Sequence, residues 1–368
     1  MIYQVMEAMD VGDAVSSIAR RNAALLAELG QPPAVLAQYA HPDIGHETRP
    51  CHEALATPDC GLIFHYWGHN SSTWMLQVLR GRKAVHYHNI TPPHFFPRDS
   101  DLFRATMAGY AQLRQIADAF DLILGDSEYN VEEFCRYTTR PKPTLHLYPV
   151  VDQTTIRTAP PDRALLETLE RGEDVHVVFV GRVVRNKGQD RLMRVFDYYY
   201  RKIGREAQLW LVGNDRVEPE YRAELERLRG TLPGRERIHF TGKLPDAEVM
   251  AYLLAADVFV CASEHEGFCL PIPQAMALDV PVIAYAAAAV PETMGGSGLL
   301  VHEWDAPRIA ELMYLTLTDA TLRTRVLASQ RANLQRFSEA EARRRLAAVL
   351  AYLQTGETSP LFVYRRPG

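Results

Sequence analysis

The sequence predicts an α/β protein built from two doubly wound domains facing a central cleft, and three observations carry that expectation. Its 368 residues exceed one ordinary core and fit two domains. Short apolar runs alternate with longer amphipathic ones along nearly the whole chain, as in βαβ units on a parallel sheet. One stretch, "VVDQTTIRTAPPDRALLETLERGED", breaks the rhythm with a Pro-Pro pair and a charged, helix-like segment. The expected organisation is a first domain over 1–151, a linker over 152–173, a second domain over 174–335, and a C-terminal helix and tail over 336–368 that return to the first domain.

In order along the chain, strands are expected near "IYQVME", "AVLAQY", "GLIFHYW", "KAVHYHN", "DLILGDS" and "TLHLYPV". Helical patterns lie between them, such as "AVSSIARRNAALLAELG", which ends on Gly30 as a C-capping glycine. A second alternating series follows in "DVHVVFVG", "AQLWLVG", "RIHFTG", "DVFVCAS", "VPVIAY" and "GLLV". From 305 to 354 the pattern reads as nearly continuous helix, and the tail "SPLFVYRRPG" predicts no element. Ligands of open α/β sheets bind at the carboxyl ends of the strands, so both domains should present their sites to the cleft.

Composition excludes several classes. With 47% hydrophobic and 23% charged residues the chain is globular rather than disordered. A net charge of −5, with 12 Lys and Arg against 16 Asp and Glu in residues 1–150, argues against a nucleic-acid binder held by phosphate contacts. Five scattered cysteines without a C-x-x-C pair fit reduced thiols. No apolar run reaches the roughly 20 residues that cross a bilayer, and "MIYQVMEAMD" does not read as a signal peptide. The expectation is a cytoplasmic protein, at most peripheral at the inner face of a membrane.

Two motifs carry chemistry. "FVGRVVRNKGQD" closes an apolar strand with Gly181-Arg182 and opens a helix after Lys187-Gly188, so two cations meet the amides of a helix N-terminus, a sound diphosphate site. Taken alone, the spacing reads equally as two solvated cations on a loop. The second motif is "SEHEGFCLPIPQAM". After the strand "DVFVCAS", Glu266 and Gly267 precede Pro271, which sits where a first-turn proline is tolerated. The amides of Phe268, Cys269 and Leu270 are then available at a helix start, and Gln274 lies one turn in. Glu266 can accept from sugar hydroxyls and Gln274 can bond a ribose. The plainer reading of Glu266 is an acid favouring a helix dipole.

Together these segments resemble the family 4 retaining glycosyltransferases of GT-B fold, two Rossmann-like domains that pair a G-R-x4-K-G turn with an E-G-F-G-L-P-x-x-E-A-M segment. Here the first is "GRVVRNKG" and the second "EGFCLPIPQAM". Supporting positions are "LWLVGN" with Gly213 and Asn214, "FTGKLPDAEVMAYLLAADVFV", and "DVPVIAY" followed by "VPET" and "GGSGLLV". The resemblance implies that Arg182 and Lys187 bind the donor diphosphate, Glu266 the transferred sugar, and the amides at 268–270 the sugar and phosphates. It places Gly12 and Asp13 in the family's glycine-containing loop and His88 near the reacting carbon. It implies a UDP- or GDP-sugar as co-substrate, a carbohydrate or lipid-linked acceptor, no cofactor and no metal. Two positions depart from the family: Gln274 stands for its second acid and Cys269 for a glycine.

Other signals are weaker. Nine of thirteen histidines precede residue 150, among them His65, His69, His86, His88 and His94, in no familiar zinc spacing. "DSD" at 99–101 reads better as a helix cap than as a metal-binding pair. Basic, amphipathic "SSIARRNAALL" and "MLQVLRGRKAV" read as helices that cover a sheet or touch a membrane. A regulatory sugar-nucleotide binder and a sugar-nucleotide epimerase of the same architecture stay open as alternatives.

Overall fold

The computed structural model describes residues 1–204 and 206–367. Seven strands build the sheet of the first unit: β1 Ile2–Met9, β2 Val35–Ala40, β3 Thr48–Arg49, β4 Gly61–Tyr66, β5 Lys83–Tyr87, β6 Leu122–Gly125 and β7 Lys142–His146. Six build the second: β8 Val175–Val180, β9 Ala207–Val212, β10 Ile238–Gly242, β11 Val258–Cys261, β12 Val282–Tyr285 and β13 Leu299–Val301. A last strand, β14 Val363–Arg365, pairs antiparallel with β7 and completes the first sheet.

The first unit comprises Met1–Val150 and Phe337–Gly368, and the second Val151–Arg336. Sheet order is β14-β7-β6-β5-β4-β1-β2-β3 in one and β10-β9-β8-β11-β12-β13 in the other. Apart from β14 the strands run parallel, with strand order reversing beside β1 and beside β8. Such reversals open a crevice at the carboxyl ends of the strands. Strands such as Gly61–Tyr66 are buried on both faces, which is why they read as unbroken apolar runs. Phe64, Tyr66, Tyr87, Phe120 and Phe134 fill one core. Phe179, Phe196, Val258 and Ile283 fill the other.

Four expectations are corrected. Residues 152–173, expected as a linker, form helices Gln153–Thr158 and Arg163–Glu170 that belong to the second unit. The Asp162 amide donates to Ala247 O at 2.8 Å, and Arg157 pairs with Asp279 at 3.0 Å. The long C-terminal helix is three, Ala306–Thr318, Ala320–Asn333 and Glu339–Thr355. Asp319 and Ser338 cap the second and third, restarting the helix where side-chain oxygens satisfy the free amides. The tail is not featureless, since it supplies β14. In "MLQVLRGRKAV" only Met75–Val78 is helical before β5 begins.

Helix Glu339–Thr355 packs with helix Ala14–Glu28, and Arg21 pairs with Glu339. Arg20 pairs with Glu47 at 2.6 Å, so both arginines of "SSIARRNAALL" have partners within the first unit.

Candidate functional site

The two chemical motifs meet at the carboxyl ends of β8 and β11, beside the reversal of strand order in the second unit. After β8 the chain makes a short turn, Arg185–Lys187, then passes through Gly188 into helix Gln189–Lys202. Gly188 has φ +65, and a Cβ there would lie 2.5 Å from Ala262 O, the residue following β11. Only glycine admits that approach. Gly213, just after β9, is pressed against Gly181 in the same way: φ is +141, and a Cβ would sit 2.2 Å from Gly181 O.

Side chains then lock the two loops together. Asn186 donates to His265 O at 3.1 Å, and the Glu264 amide donates to Asn186 O at 2.8 Å. Arg191 pairs with Glu264 at 3.0 Å. At the centre, Lys187 Nζ lies 2.6 Å from Glu266 Oε1, joining residues 79 apart in sequence. Burial opposes ionisation of Glu266, but the Lys187 charge and its hydrogen bond outweigh it and hold the carboxyl below its ordinary range. The partly buried pair therefore presents Glu266 as a carboxylate with hydrogen-bonding capacity to spare.

Around it stand unused donors. Arg182 is exposed, and among the described residues its guanidinium has no partner. Its carbonyl instead accepts from Gln189 Nε2 at 2.9 Å. Arg185 serves the fold, bridging Glu218 and Glu224 at 2.7 Å each. Asn214 O accepts from the Val183 amide at 2.9 Å, while its side chain accepts from the Arg216 amide at 3.0 Å. The amides of Cys269 and Leu270 donate to no group among the described residues. Phe268 is buried, and its carbonyl accepts from Thr293 Oγ1. Helix Pro271–Ala277 follows, with Gln274 half-buried in its first turn. Thus Gly181, Arg182, Lys187, Gly213, Asn214, Glu266, Gly267, Phe268, Cys269 and Leu270 lie on the loops and strand ends of this one unit, and Gln274 in the first turn of the helix that follows.

Cys269 has φ +70, which explains why this position suits the glycine the motif leads one to expect. Its thiol lies 3.8 Å from that of Cys261.

The first unit holds the remaining expected residues. Gly12, with φ +74, ends the turn after β1, and Asp13 caps helix Ala14–Glu28 by accepting from the Ser16 amide at 2.8 Å. The Asp13 carboxylate is thus committed to its own helix. Of the histidines, His65, His86 and His88 converge, whereas His69 and His94 stand apart and exposed.

His88, expected to face a reacting carbon, is turned inward with its side chain 1% exposed. Its Nδ1 lies 2.7 Å from Asp126 Oδ2, and its Nε2 lies 2.8 Å from His65 Nδ1. His65 Nε2 in turn lies 2.9 Å from Gln4 Oε1, while Gln4 Nε2 donates to Ala19 O at 3.0 Å. That last bond fixes the amide, so His65 Nε2 is the donor to Gln4 and His65 Nδ1 the acceptor. Both His88 nitrogens are thus engaged, Nδ1 by the Asp126 carboxylate and Nε2 by His65. Burial alone would raise the Asp126 carboxyl, but His88 and His86 bring it down to about 2. His86 Nε2 sits 2.9 Å from the other Asp126 oxygen. The three rings are close enough to ligate a cation. Period-2 spacing of His86 and His88 signals a shared face; that His65 lies opposite depends on strand register, which the sequence does not show.

With this geometry in view, the chain can be set beside known proteins. The family model for glycosyl transferases group 1 matches residues 166–332. A GDP-mannose-dependent alpha-(1-6)-phosphatidylinositol monomannoside mannosyltransferase of Mycobacterium tuberculosis is 30% identical over 56% of this chain and 55% of its own length. The chain thus spans little more than half of that relative. An O-antigen chain mannosyltransferase B of Escherichia coli is 25% identical over 70% of this chain and 67% of its own. Among solved structures, a sucrose-phosphate synthase from Thermosynechococcus elongatus superposes with a TM-score of 0.74 at 19% identity, covering 97% of this chain and 99% of that one. HepE of Anabaena, in complex with UDP and glucose, does so at 0.71 and 19%, covering 96% and 99%. Fold and sequence agree: residues 166–332, within the second unit, resemble the glycosyl transferases group 1 family, and the chain shares the fold of these solved structures.

Proposed function

We propose that this protein is a retaining glycosyltransferase that moves a sugar from a nucleoside diphosphate sugar to an acceptor hydroxyl. The observation that carries the reading is the partly buried Lys187–Glu266 pair at 2.6 Å, together with the unpartnered Arg182 and the free amides of Cys269 and Leu270. One site thereby offers positive charge for a diphosphate and a carboxylate for sugar hydroxyls.

In the proposed reaction the bond between the anomeric carbon and the diphosphate oxygen breaks, and Arg182 and Lys187 neutralise the departing diphosphate. The acceptor oxygen attacks from the face the diphosphate leaves, so configuration is retained. His88 has no free nitrogen to take the acceptor proton, which passes instead to an oxygen of the leaving diphosphate. No cofactor or metal is assigned a step. Gln274, where the motif leads one to expect an acid, donates as well as accepts and bonds the ribose.

The mannosyltransferases among its relatives make GDP-mannose the first donor to test, with UDP-glucose beside it, and lipid-linked or polysaccharide acceptors the first acceptors. Among the described residues no helix is long and apolar enough to cross a membrane. We place the protein in the cytoplasm, meeting such acceptors peripherally at the membrane. The test is NMR of the product formed from an α-linked donor and a lipid-linked acceptor. An α-glycoside is expected. A β-glycoside would contradict retention. Donor rearranged without any acceptor would make the protein an epimerase, and binding without turnover would make it a regulatory binder.

A further inference from the structure

We propose that Cys261 and Cys269 are a thiol pair that hydrogen peroxide converts to a disulfide, and that this bond closes the donor loop. Their sulfurs lie 3.8 Å apart, and both side chains are buried. A carboxylate oxygen of Glu266 and the two sulfurs all fall within 4.8 Å of one another. A cation in that triangle would face the Lys187 ammonium, already 2.6 Å from Glu266, so the geometry favours sulfur chemistry over metal ligation.

The two cysteines differ in freedom. Cys261 ends β11 and is registered against Ala284 of β12, fixed inside the sheet. Cys269 sits in a loop at φ +70, a conformation a cysteine holds only under strain, and its own amide and that of Leu270 are unpaired. A disulfide needs the sulfurs about 2.0 Å apart. Closing the gap therefore moves Cys269 and carries the amides of 269 and 270 with it. The Cys269 S–H beside the Glu266 carboxylate is lost at the same time.

The chemistry balances with peroxide as oxidant. One sulfur, as thiolate, attacks a peroxide oxygen and breaks the O–O bond, giving a sulfenic acid and, after proton uptake, water. The second thiol attacks that sulfenic sulfur and expels its hydroxyl as a second water. Two thiols and one peroxide thus yield one disulfide and two waters, and a dithiol reductant reverses the change.

The gating half of this inference rests on the donor-site reading, whereas the bond itself does not. The full chain would be treated with hydrogen peroxide, unfolded, alkylated, and cut after Glu264 or Glu266, which separates the two cysteines. Mass spectrometry should find Cys261 linked to Cys269, with Cys51, Cys60 and Cys135 alkylated and the link reversed by dithiothreitol. Cys261→Ala and Cys269→Gly should each abolish it. Both cysteines still alkylated, over-oxidised, or linked elsewhere would overturn the proposal.

In the same samples, whichever of GDP or UDP raises the melting temperature of the reduced protein should lose at least half of that shift on oxidation. In Cys261→Ala the shift should not respond to peroxide. A shift unchanged by the mapped disulfide overturns the gating. No shift in the reduced protein removes the donor site and the gating with it, while the peptide map still decides the bond.

Discussion

Lys187→Ala should lower the unfolding free energy by about 3–5 kcal/mol, because it strands the Glu266 carboxylate in a buried loop. Glu266 is 8% exposed, so little water can replace the lost ammonium. The pair Lys187→Met with Glu266→Leu, which removes both charges, should recover much of the loss. Denaturant unfolding of wild type and the two variants checks this. Equal destabilisation by the single and double variants would show that the charges do not interact.

The pH dependence has a definite sign. The folded Glu266 carboxyl lies below its ordinary value, so its contribution is complete above that value and is lost as pH falls through the folded one. In Lys187→Ala that acid-side loss should shrink or reverse.

Asp126→Asn should cost a comparable amount, about 3–5 kcal/mol, by removing the buried carboxylate that His86 and His88 both face in the first unit. An asparagine oxygen can still accept one bond, but its NH2 opposes a ring N–H. Wild-type stability should fall in two stages on acidification. Burial holds His65 and His86 below their ordinary range, so the folded state resists protonation that the unfolded chain accepts, and stability declines as pH drops below about 6.5. Asp126, held at about 2, adds a second decline between its ordinary carboxyl value and that point. Urea titrations from pH 7.5 to 2.5 should show a shallower lower stage in Asp126→Asn than in wild type, with Glu266 supplying part of what remains. A lower stage of equal depth in the variant would assign it wholly to other carboxylates.

Much of the fold was legible because buried parallel strands are written as apolar runs between longer periodic segments, and twelve such runs became strands. The runs that escaped notice were short or at an edge: Thr48–Arg49 is two residues, and Val363–Arg365 pairs on one side only. Such strands bury too little to leave an apolar pattern. Residues 152–173 misled because a Pro-Pro pair marks a turn without saying whether the flanking helices pack.

At the site, motif spacing put Arg182, Lys187 and Glu266 on the right loops. What spacing could not show is that Lys187 and Glu266 touch, since that contact depends on β8 and β11 being neighbours in the sheet. Nor could it tell that Arg185, three residues past Arg182 in the same turn, spends its charge on Glu218 and Glu224 while Arg182 does not. His88 shows the limit from the other side. Its place after a strand was readable, but its inward orientation follows from Asp126 and His65 on adjacent strands.

The central claim is that the second unit holds a nucleoside diphosphate through the Arg182 and Lys187 loop. Arg182 is the clean probe, because it is exposed and unpartnered and its removal should leave the fold intact. The measurement is thermal stabilisation by GDP and by UDP in wild type and Arg182→Ala. A ligand at about 100 times its dissociation constant should stabilise wild type by about 2.7 kcal/mol. Arg182→Ala should melt like wild type without ligand and bind about 10- to 100-fold more weakly, as expected for losing a charge-assisted bond. No stabilisation of wild type by either nucleotide, or equal stabilisation of both proteins, would contradict the account.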